Sequence, residues 1–357
     1  MSVRALPRAT LAGRTASRSL EALGFDGLSA LCRSSAARHP PDAAGALDPR
    51  LALPIAYSEA RASRLAESYD DCAVCANRTC PAADIALLPG DDLAWLTPNL
   101  YPILLPREAE GRALEAAPFQ GLPLHGLHLV HWSSLRHDGG LVGADADTAA
   151  ALLAQLARAE DFLLHHAGAD YPRSGCGPDG LPHRGHAGLI KNRGRRVGGS
   201  VEHDHQQLLL SNQPFAEPPL SRGLRAALLA GATPALDVDD IDGLARTLVP
   251  PFMRRPLHAF VVPAGADAGW LHHLDGRVLD ACALALARLT HAVSAAMVAA
   301  GQEPAWNVVC LAGEGCGPVF ELRAFTQPLG GYEHLGLYLC EERPATSAAR
   351  LRESLPR

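Results

Sequence analysis

The chain has 357 residues, 48% hydrophobic and 20% charged, with a formal net charge of −6. At roughly 100–200 residues per domain, that is room for two domains, or one built of two halves, around a sizeable core. The composition excludes a largely disordered chain, and the acidic balance argues against a strongly basic nucleic-acid binder.

Arginine is the default base; Lys191 is the single lysine. Arg4, Arg8, Arg14 and Arg18 precede the first acid, Glu21, which resembles a transit peptide in composition. The same arginine bias runs through the whole chain, so a plain N-terminal extension over 1–50, loose or partly helical, is the expectation. No apolar run approaches the roughly 18 residues of a membrane span, and no membrane partner is expected. Nine cysteines, an odd number, argue against a disulfide scaffold and for a reducing, cytoplasmic setting with a metal site.

Past the break at His39-Pro40-Pro41-Asp42, a short helix is expected over Tyr57–Glu67, followed by a Cys-rich loop with Cys72, Cys75 and Cys80. Strand-like pieces follow at Asp84–Leu88, Leu93–Leu96 and Gly126–Trp132. Asp145–Ala167 reads as a helix, capped by Asp145 or Asp147 and striped with Leu152, Leu153, Leu156, Phe162 and Leu163. After a Gly/Pro-rich stretch, Leu189-Ile190 read as a short strand ending in a turn at Asn192–Gly194, and His203–Ser211 as another strand. A Pro-rich connection and a helix near Leu220–Ala230 lead into a second unit. That unit has strands at Leu257–Pro263, Ala305–Ala312 and Val319–Phe325 and a long Ala/Leu helix at Leu274–Ala300. The order strand, helix, strand, strand appears in both halves, which suggests an internal duplication with a boundary near 215–250. The strands read as antiparallel, so the fold class is α+β.

The chemistry concentrates between Lys191 and Gln207. Residues two apart on a strand share a face, so His203, His205 and Gln207 are expected to project together, about 7 Å between neighbours. Upstream lie Gly194, Gly198, Gly199 and Ser200, with Arg193, Arg195 and Arg196 among them. Glycines let backbone N–H groups approach an anion, and serine adds a donor. A phosphate cradle thus precedes an imidazole able to attack an activated phosphoryl group. Gln207 can donate to a non-bridging oxygen. Cys72-x-x-Cys75 has zinc-knuckle spacing; free buried thiols are the alternative, and Cys282 and Cys310 read as such core residues.

Asn192, Gly198-Gly199-Ser200 and His203-x-His205-x-Gln207 together resemble the histidine-triad superfamily, in particular its galactose-1-phosphate uridylyltransferase branch. The resemblance implies two histidine-triad-like halves, 51–215 with the zinc site and nucleophile and 216–357, each an antiparallel sheet with packed helices. It maps the nucleophile to His205, with Gln207 and Ser200 on the phosphate. It implies a structural zinc held by Cys72, Cys75, His137 and His203, with Cys80 as a possible substitute ligand. Asn99 and Tyr101 resemble the segment lining the nucleoside pocket, and Asn192, Gly198 and Gly199 shape the nucleotide loop. Tyr332 and Glu333 match the piece that contacts the sugar phosphate. A homodimer is implied as well.

Several features depart from the pattern. The family's Arg-Pro-Trp segment has no counterpart around Asp48–Arg64. Phe320–Pro328 lacks the histidines that hold a second metal in many members. An apolar residue near Leu339 stands where the family has a glutamine, and Gln206 replaces a glycine. These losses fall on the acceptor side. The implied activity is nucleoside monophosphate transfer from an NDP-sugar to a sugar 1-phosphate through a nucleotidyl-histidine. One alternative is a phosphorylase of ADP-sugars or dinucleoside polyphosphates that uses inorganic phosphate. Another, of a different class, is a zinc-stabilised nucleotide-binding protein without turnover.

Overall fold

A computed structural model describes residues 19–36, 44–48, 53–57, 72, 74–76, 85–86, 95–107, 124–215, 220–230, 234–265 and 268–356. The expected helix over Tyr57–Glu67 and Cys80 lie outside these residues, save Tyr57, which ends a strand. The chain divides into two compact units. The first comprises Met1–Asp138, Gln155–Leu189 and His203–Pro218, and the second Gly139–Ala154, Ile190–Glu202 and Pro219–Arg357. The fold is α+β, with antiparallel strands throughout the registers below, as the sequence implies.

In the first unit, helix α1 (Leu20–Ala36) precedes a hairpin of β1 (Ala44–Asp48) and β2 (Leu53–Tyr57). The unit's main sheet portion runs β9 (His205–Ser211), β5 (Gly126–Trp132), β4 (Trp95–Pro98) and β3 (Ile85–Ala86). Helix α2 (Ala146–His166) and the small hairpin β6 (Arg173–Cys176) and β7 (Pro182–Arg184) follow β5 in the chain. Asp145 caps α2 by accepting from the Thr148 N–H at 2.8 Å.

Every residue of β5 and β9 is buried, so neither strand shows the half-wet alternation of a surface strand. Their register pairs Trp132 with His205, Val130 with Gln207 and His128 with Leu209. Gly126 begins β5 because a Cβ there would fall 1.9 Å from the Leu210 carbonyl oxygen. One face of the pair therefore carries His128, Val130, Trp132, His205 and Gln207. The other carries Leu127, Leu129, His131, Gln206, Leu208 and Leu210.

β8 (His186–Arg193) passes from the first unit into the second. The second unit has helix α3 (Arg222–Ala230), then strands in the order β10 (Asp237–Ile241), β11 (Ala245–Leu248), β12 (Ala259–Pro263), β14 (Cys316–Ala324) and β13 (Trp306–Gly313). Its core packs Leu228, Leu248, Phe260, Val262 and Val319. The sequence reading missed β10 and β11. β10 is Asp-Val-Asp-Asp-Ile, acidic on its exposed side, and reads as a loop until β11 pairs with it.

Helix α4 (Gly276–Ala299) corrects the expectation about apolar runs. By length and hydropathy it could cross a membrane, and 67% of its apolar window is buried inside the protein. Its alanines pack it closely onto β10, β11 and β12. Asp275 caps it by accepting from the Arg277 N–H. Two short helices, α5 (Gly331–His334) and α6 (Pro344–Glu353), close the chain.

Candidate active site and metal centre

His203 was expected on the strand and lies outside it. β9 begins at His205, and His203 sits in the bend before it. The two histidines therefore serve different places instead of sharing one face. The His203 side chain turns to Cys72 and Cys75, with Nδ1 3.8 and 3.5 Å from their Sγ atoms. His137 Nδ1 is 3.6 Å from Cys75 Sγ. The four donor atoms lie within 4.8 Å of one another.

These spacings test a zinc ion directly. Bonds of about 2.0–2.3 Å in a tetrahedron place neighbouring donors about 3.3–3.8 Å apart, and the three sulfur–nitrogen distances fall at or within that range. The outer contacts agree. His203 Nε2–H donates to the Ser134 carbonyl at 2.7 Å, which leaves the Nδ1 lone pair facing the thiols. Burial pushes the His203 imidazole below its ordinary pKa, which favours the neutral, ligating form. The donor set of two thiols and two imidazoles suits zinc. All described cysteines are free of disulfides. Cys282 is fully buried and its thiol is pushed up to about 12 by burial, as befits a core residue.

His205 starts β9 and is nearly buried at 8% exposure. Its Nδ1–H donates to the His203 carbonyl at 2.8 Å. That bond selects the tautomer and makes Nε2 the basic nitrogen of the ring. The metal cluster and the imidazole are thus linked through one residue: the side chain of His203 binds the cluster while its carbonyl orients His205. Trp132 packs beside both rings, 5.9 Å from His203 and 5.3 Å from His205. Thr97 holds it by accepting from Nε1–H at 3.1 Å.

Gln207, two residues on, shares the face of His205. Its Oε1 accepts from His128 Nε2–H at 2.8 Å. The Ile103 N–H donates to His128 Nδ1 at 3.1 Å, so the His128 proton must sit on Nε2. The Gln207 amide is thereby turned with oxygen toward His128 and NH2 away from it. Asn99 borders the same imidazole, its Nδ2 3.0 Å from His128 Nε2, while its Oδ1 accepts from the Tyr101 N–H at 2.8 Å. The structure gathers Asn99, Tyr101 and Gln207 around His128, a residue the sequence does not single out. The signal was present: a histidine inside a seven-residue apolar strand, on the same parity as Trp132.

The glycine-rich segment lies in the second unit. Asn192 is the penultimate residue of β8, and its Oδ1 accepts from Asn307 Nδ2 at 2.6 Å; the same Nδ2 donates to the Val197 carbonyl at 3.0 Å. Residues Arg195–Val197 form one tight turn ended by Gly198 at φ 90°. Gly199 is buried, its N–H donates to the Gly194 carbonyl, and a Cβ there would meet that oxygen at 2.9 Å. Only glycine fits this closure. Ser200 follows, half-buried. Of the expected basic residues, Arg196 stacks over Phe325 at 4.4 Å, and Arg193 and Arg195 are exposed.

Near the C-terminus, Tyr332 is exposed, and the Glu333 carboxylate is occupied by its own loop. It accepts from the Gly330 N–H at 2.8 Å and the Leu339 N–H at 3.2 Å. Those bonds hold its carboxyl below the ordinary range. In Phe320–Pro328, Glu321 is ion-paired with Arg323 at 2.7 Å, and His258 Nε2 lies 2.7 Å away. Burial would raise the Glu321 carboxyl; the hydrogen bonds from His258 and Arg323 outweigh it and hold it at about 2.

No protein-family model matches the chain, and no curated protein matches it. Solved structures do. A uridylyltransferase superposes with a TM-score of 0.65 at 15% identity, over 87% of this chain and 97% of its own. An ADP-glucose phosphorylase from Arabidopsis thaliana with bound ADP-glucose gives 0.59 at 18%, over 87% and 98%. A GALT-like protein from the same plant gives 0.58 at 17%, over 79% and 90%. The chain thus has the fold of these proteins over most of its length.

Proposed function

We propose that the protein is a nucleotidyltransferase of the galactose-1-phosphate uridylyltransferase type, acting through a covalent nucleotidyl-His205. The observation that carries this reading is the tautomer lock on His205. The His203 carbonyl accepts the Nδ1 proton, so Nε2 presents a lone pair without needing a base. In the first half-reaction, Nε2 attacks the α-phosphorus of a nucleoside-diphosphate sugar. The P–N bond forms, the bond from Pα to the bridging oxygen breaks, and sugar 1-phosphate leaves with the electron pair. In the second, an oxygen of an acceptor sugar 1-phosphate attacks the same phosphorus, and the P–N pair returns to Nε2.

Gln207 donates its amide to a non-bridging oxygen as charge develops there, and His128 keeps that amide in the donating orientation. Ser200 adds a hydroxyl to the phosphate, on the loop shaped by Asn192, Gly198 and Gly199. Asn99 and Tyr101 border the nucleoside. Cys72, Cys75, His137 and His203 would hold a zinc ion, which supplies a structural cross-link that fixes the bend before His205. Tyr332 and Glu333 belong to the acceptor side. In this reading 51–215 and 216–357 are the two histidine-triad-like halves, and the protein works as a cytoplasmic homodimer without nucleic-acid partners.

The occupied carboxylate of Glu333 favours a second reading in which inorganic phosphate replaces the sugar phosphate as acceptor. The test is intact-protein mass spectrometry after mixing with UDP-, GDP- and ADP-sugars and dinucleoside tetraphosphates. An acid-labile nucleoside monophosphate adduct, missing in His205→Ala, is expected, and its discharge by hexose 1-phosphate or by phosphate separates the two readings. No adduct with any donor, despite nucleotide binding, would favour a binding protein without turnover.

A further inference from the structure

The glycine-rich loop of the second unit is tied to β13 through one side chain, Asn307. Its neighbour Trp306 is fully buried and donates from Nε1 to Ser294 of α4 at 3.0 Å. Alternation along the strand therefore turns Asn307 to the opposite face, away from that helix. There it meets the end of β8 and the turn Arg195–Val197. Its Nδ2 donates to the Val197 carbonyl at 3.0 Å and to Asn192 Oδ1 at 2.6 Å.

These two bonds fix the direction of both carboxamides. A backbone carbonyl only accepts, so the end of Asn307 that faces Val197 is its NH2. The second N–H of that group is left for Asn192, which answers with its oxygen. The Asn192 NH2 is thereby turned away from Asn307 and has no hydrogen-bond partner among the described residues. It lies toward Gly198, where a Cβ would stand 3.7 Å from Nδ2. Gly198, at φ 90°, carries no side chain to cover it. The arrangement repeats in the second unit what His128 does for Gln207 in the first: a partner behind the amide decides which end a ligand meets.

We propose that Asn307 is a positioning residue that holds the Asn192 amide as a donor to a phosphate oxygen of the nucleotide. This rests on the nucleotide-binding part of the reading above. A hydrogen bond to a charged oxygen is stronger than one to a neutral acceptor, and it is lost when the amide flips. Asn307 touches no reacting atom; its whole effect passes through Asn192.

The experiment is isothermal titration calorimetry of the full chain with UDP and with ADP. Asn307→Asp keeps the size of the side chain and removes its donor. A carboxylate only accepts, so Asn192 is expected to turn its NH2 onto Asp and its oxygen toward the ligand. Affinity should fall roughly tenfold. The added charge weakens anion binding by itself, so the same substitution is also made in Asn192→Ala. There it should cost only a small part of that factor, and high ionic strength should remove most of the remainder. Equal losses in the two backgrounds would overturn the proposal, because a residue that merely supports the turn does not act through Asn192. If Asn307→Asp melts far below wild type, Asn307→Leu replaces it in the same cycle. A freed amide spends about half its time flipped, so the loss should be about twofold with Asn192 present and absent without it. Calorimetry needs no covalent step, so a chain that binds nucleotide but forms no adduct loses the transfer reading and still tests Asn307. A wild type that binds neither UDP nor ADP would overturn both.

Discussion

The two faces of the β5–β9 strand pair carry the same residue types and do different things. On one, His128 sets the amide of Gln207 beside His205, and His205 and Gln207 keep 8% and 9% exposure. On the other, His131 Nδ1 meets Gln206 Oε1 and Nε2 meets Gln155 Oε1, both at 2.9 Å, and Ser133 also donates to Gln206. His131 and Gln155 are wholly buried. The second face therefore turns its polar groups inward, onto one another and onto Gln155 of α2. The first spends one nitrogen of each imidazole on the backbone and keeps a small opening. Residue parity on a strand, not residue type, separates the chemistry from the core.

That contrast can be broken at several points. The largest effect is expected from His205→Ala, which should reduce nucleotidyl transfer about a thousandfold or more and abolish the adduct, with an unchanged melting temperature. An intact adduct in this variant would move the nucleophile elsewhere. Next, Cys75→Ser should remove the zinc equivalent of the thiolate site and lower the melting temperature by several degrees. It should also slow transfer, since the His203 carbonyl that holds His205 would be released. Metal analysis and calorimetry on one preparation would show whether these losses travel together.

The faces themselves are separated by a pair of substitutions. His128→Leu should slow adduct formation roughly tenfold by freeing the Gln207 amide to rotate. His131→Leu should cost about 1–3 kcal/mol of stability through the stranded Gln155 and Gln206 carboxamides, while the rate stays within about twofold. Reversed outcomes would exchange the roles assigned to the faces. The smallest effect concerns acid. Glu321 is held at about 2 in the folded chain against an ordinary 4.5. Its ionised form is stabilised by folding, so this stability is present above about pH 4.5 and is lost as pH falls toward about 2. Glu321→Gln should flatten that part of the stability–pH curve in denaturant titrations.

Much of the site could be read in the sequence because its residues are close in the chain. The Gly-Gly-Ser closure, His205 and Gln207 fall within ten residues, and their spacing alone argues for phosphate chemistry. Gly126–Trp132 and the helix beginning at Asp145 were legible from local apolar pattern and capping. Other features were not. His203 was expected on the strand face, because period-2 alternation cannot show where pairing starts; the strand begins only at His205, where Trp132 pairs with it. The helix at Gly276–Ala299 was legible as Leu274–Ala300; by length and hydropathy alone it also passes for a membrane span, and its burial inside the protein is a tertiary fact.

By itself, then, the sequence determined the α+β class, the order of most elements and the local chemistry of Asn192 to Gln207, since each depends on periodicity or on neighbours in the chain. Tertiary structure decided the rest. It joined Cys72, Cys75, His137 and His203 across 131 positions at spacings a single ion can span. It set His128 behind Gln207, across a distance of 79 positions. Such contacts depend on strand register and loop closure, and a linear pattern carries neither.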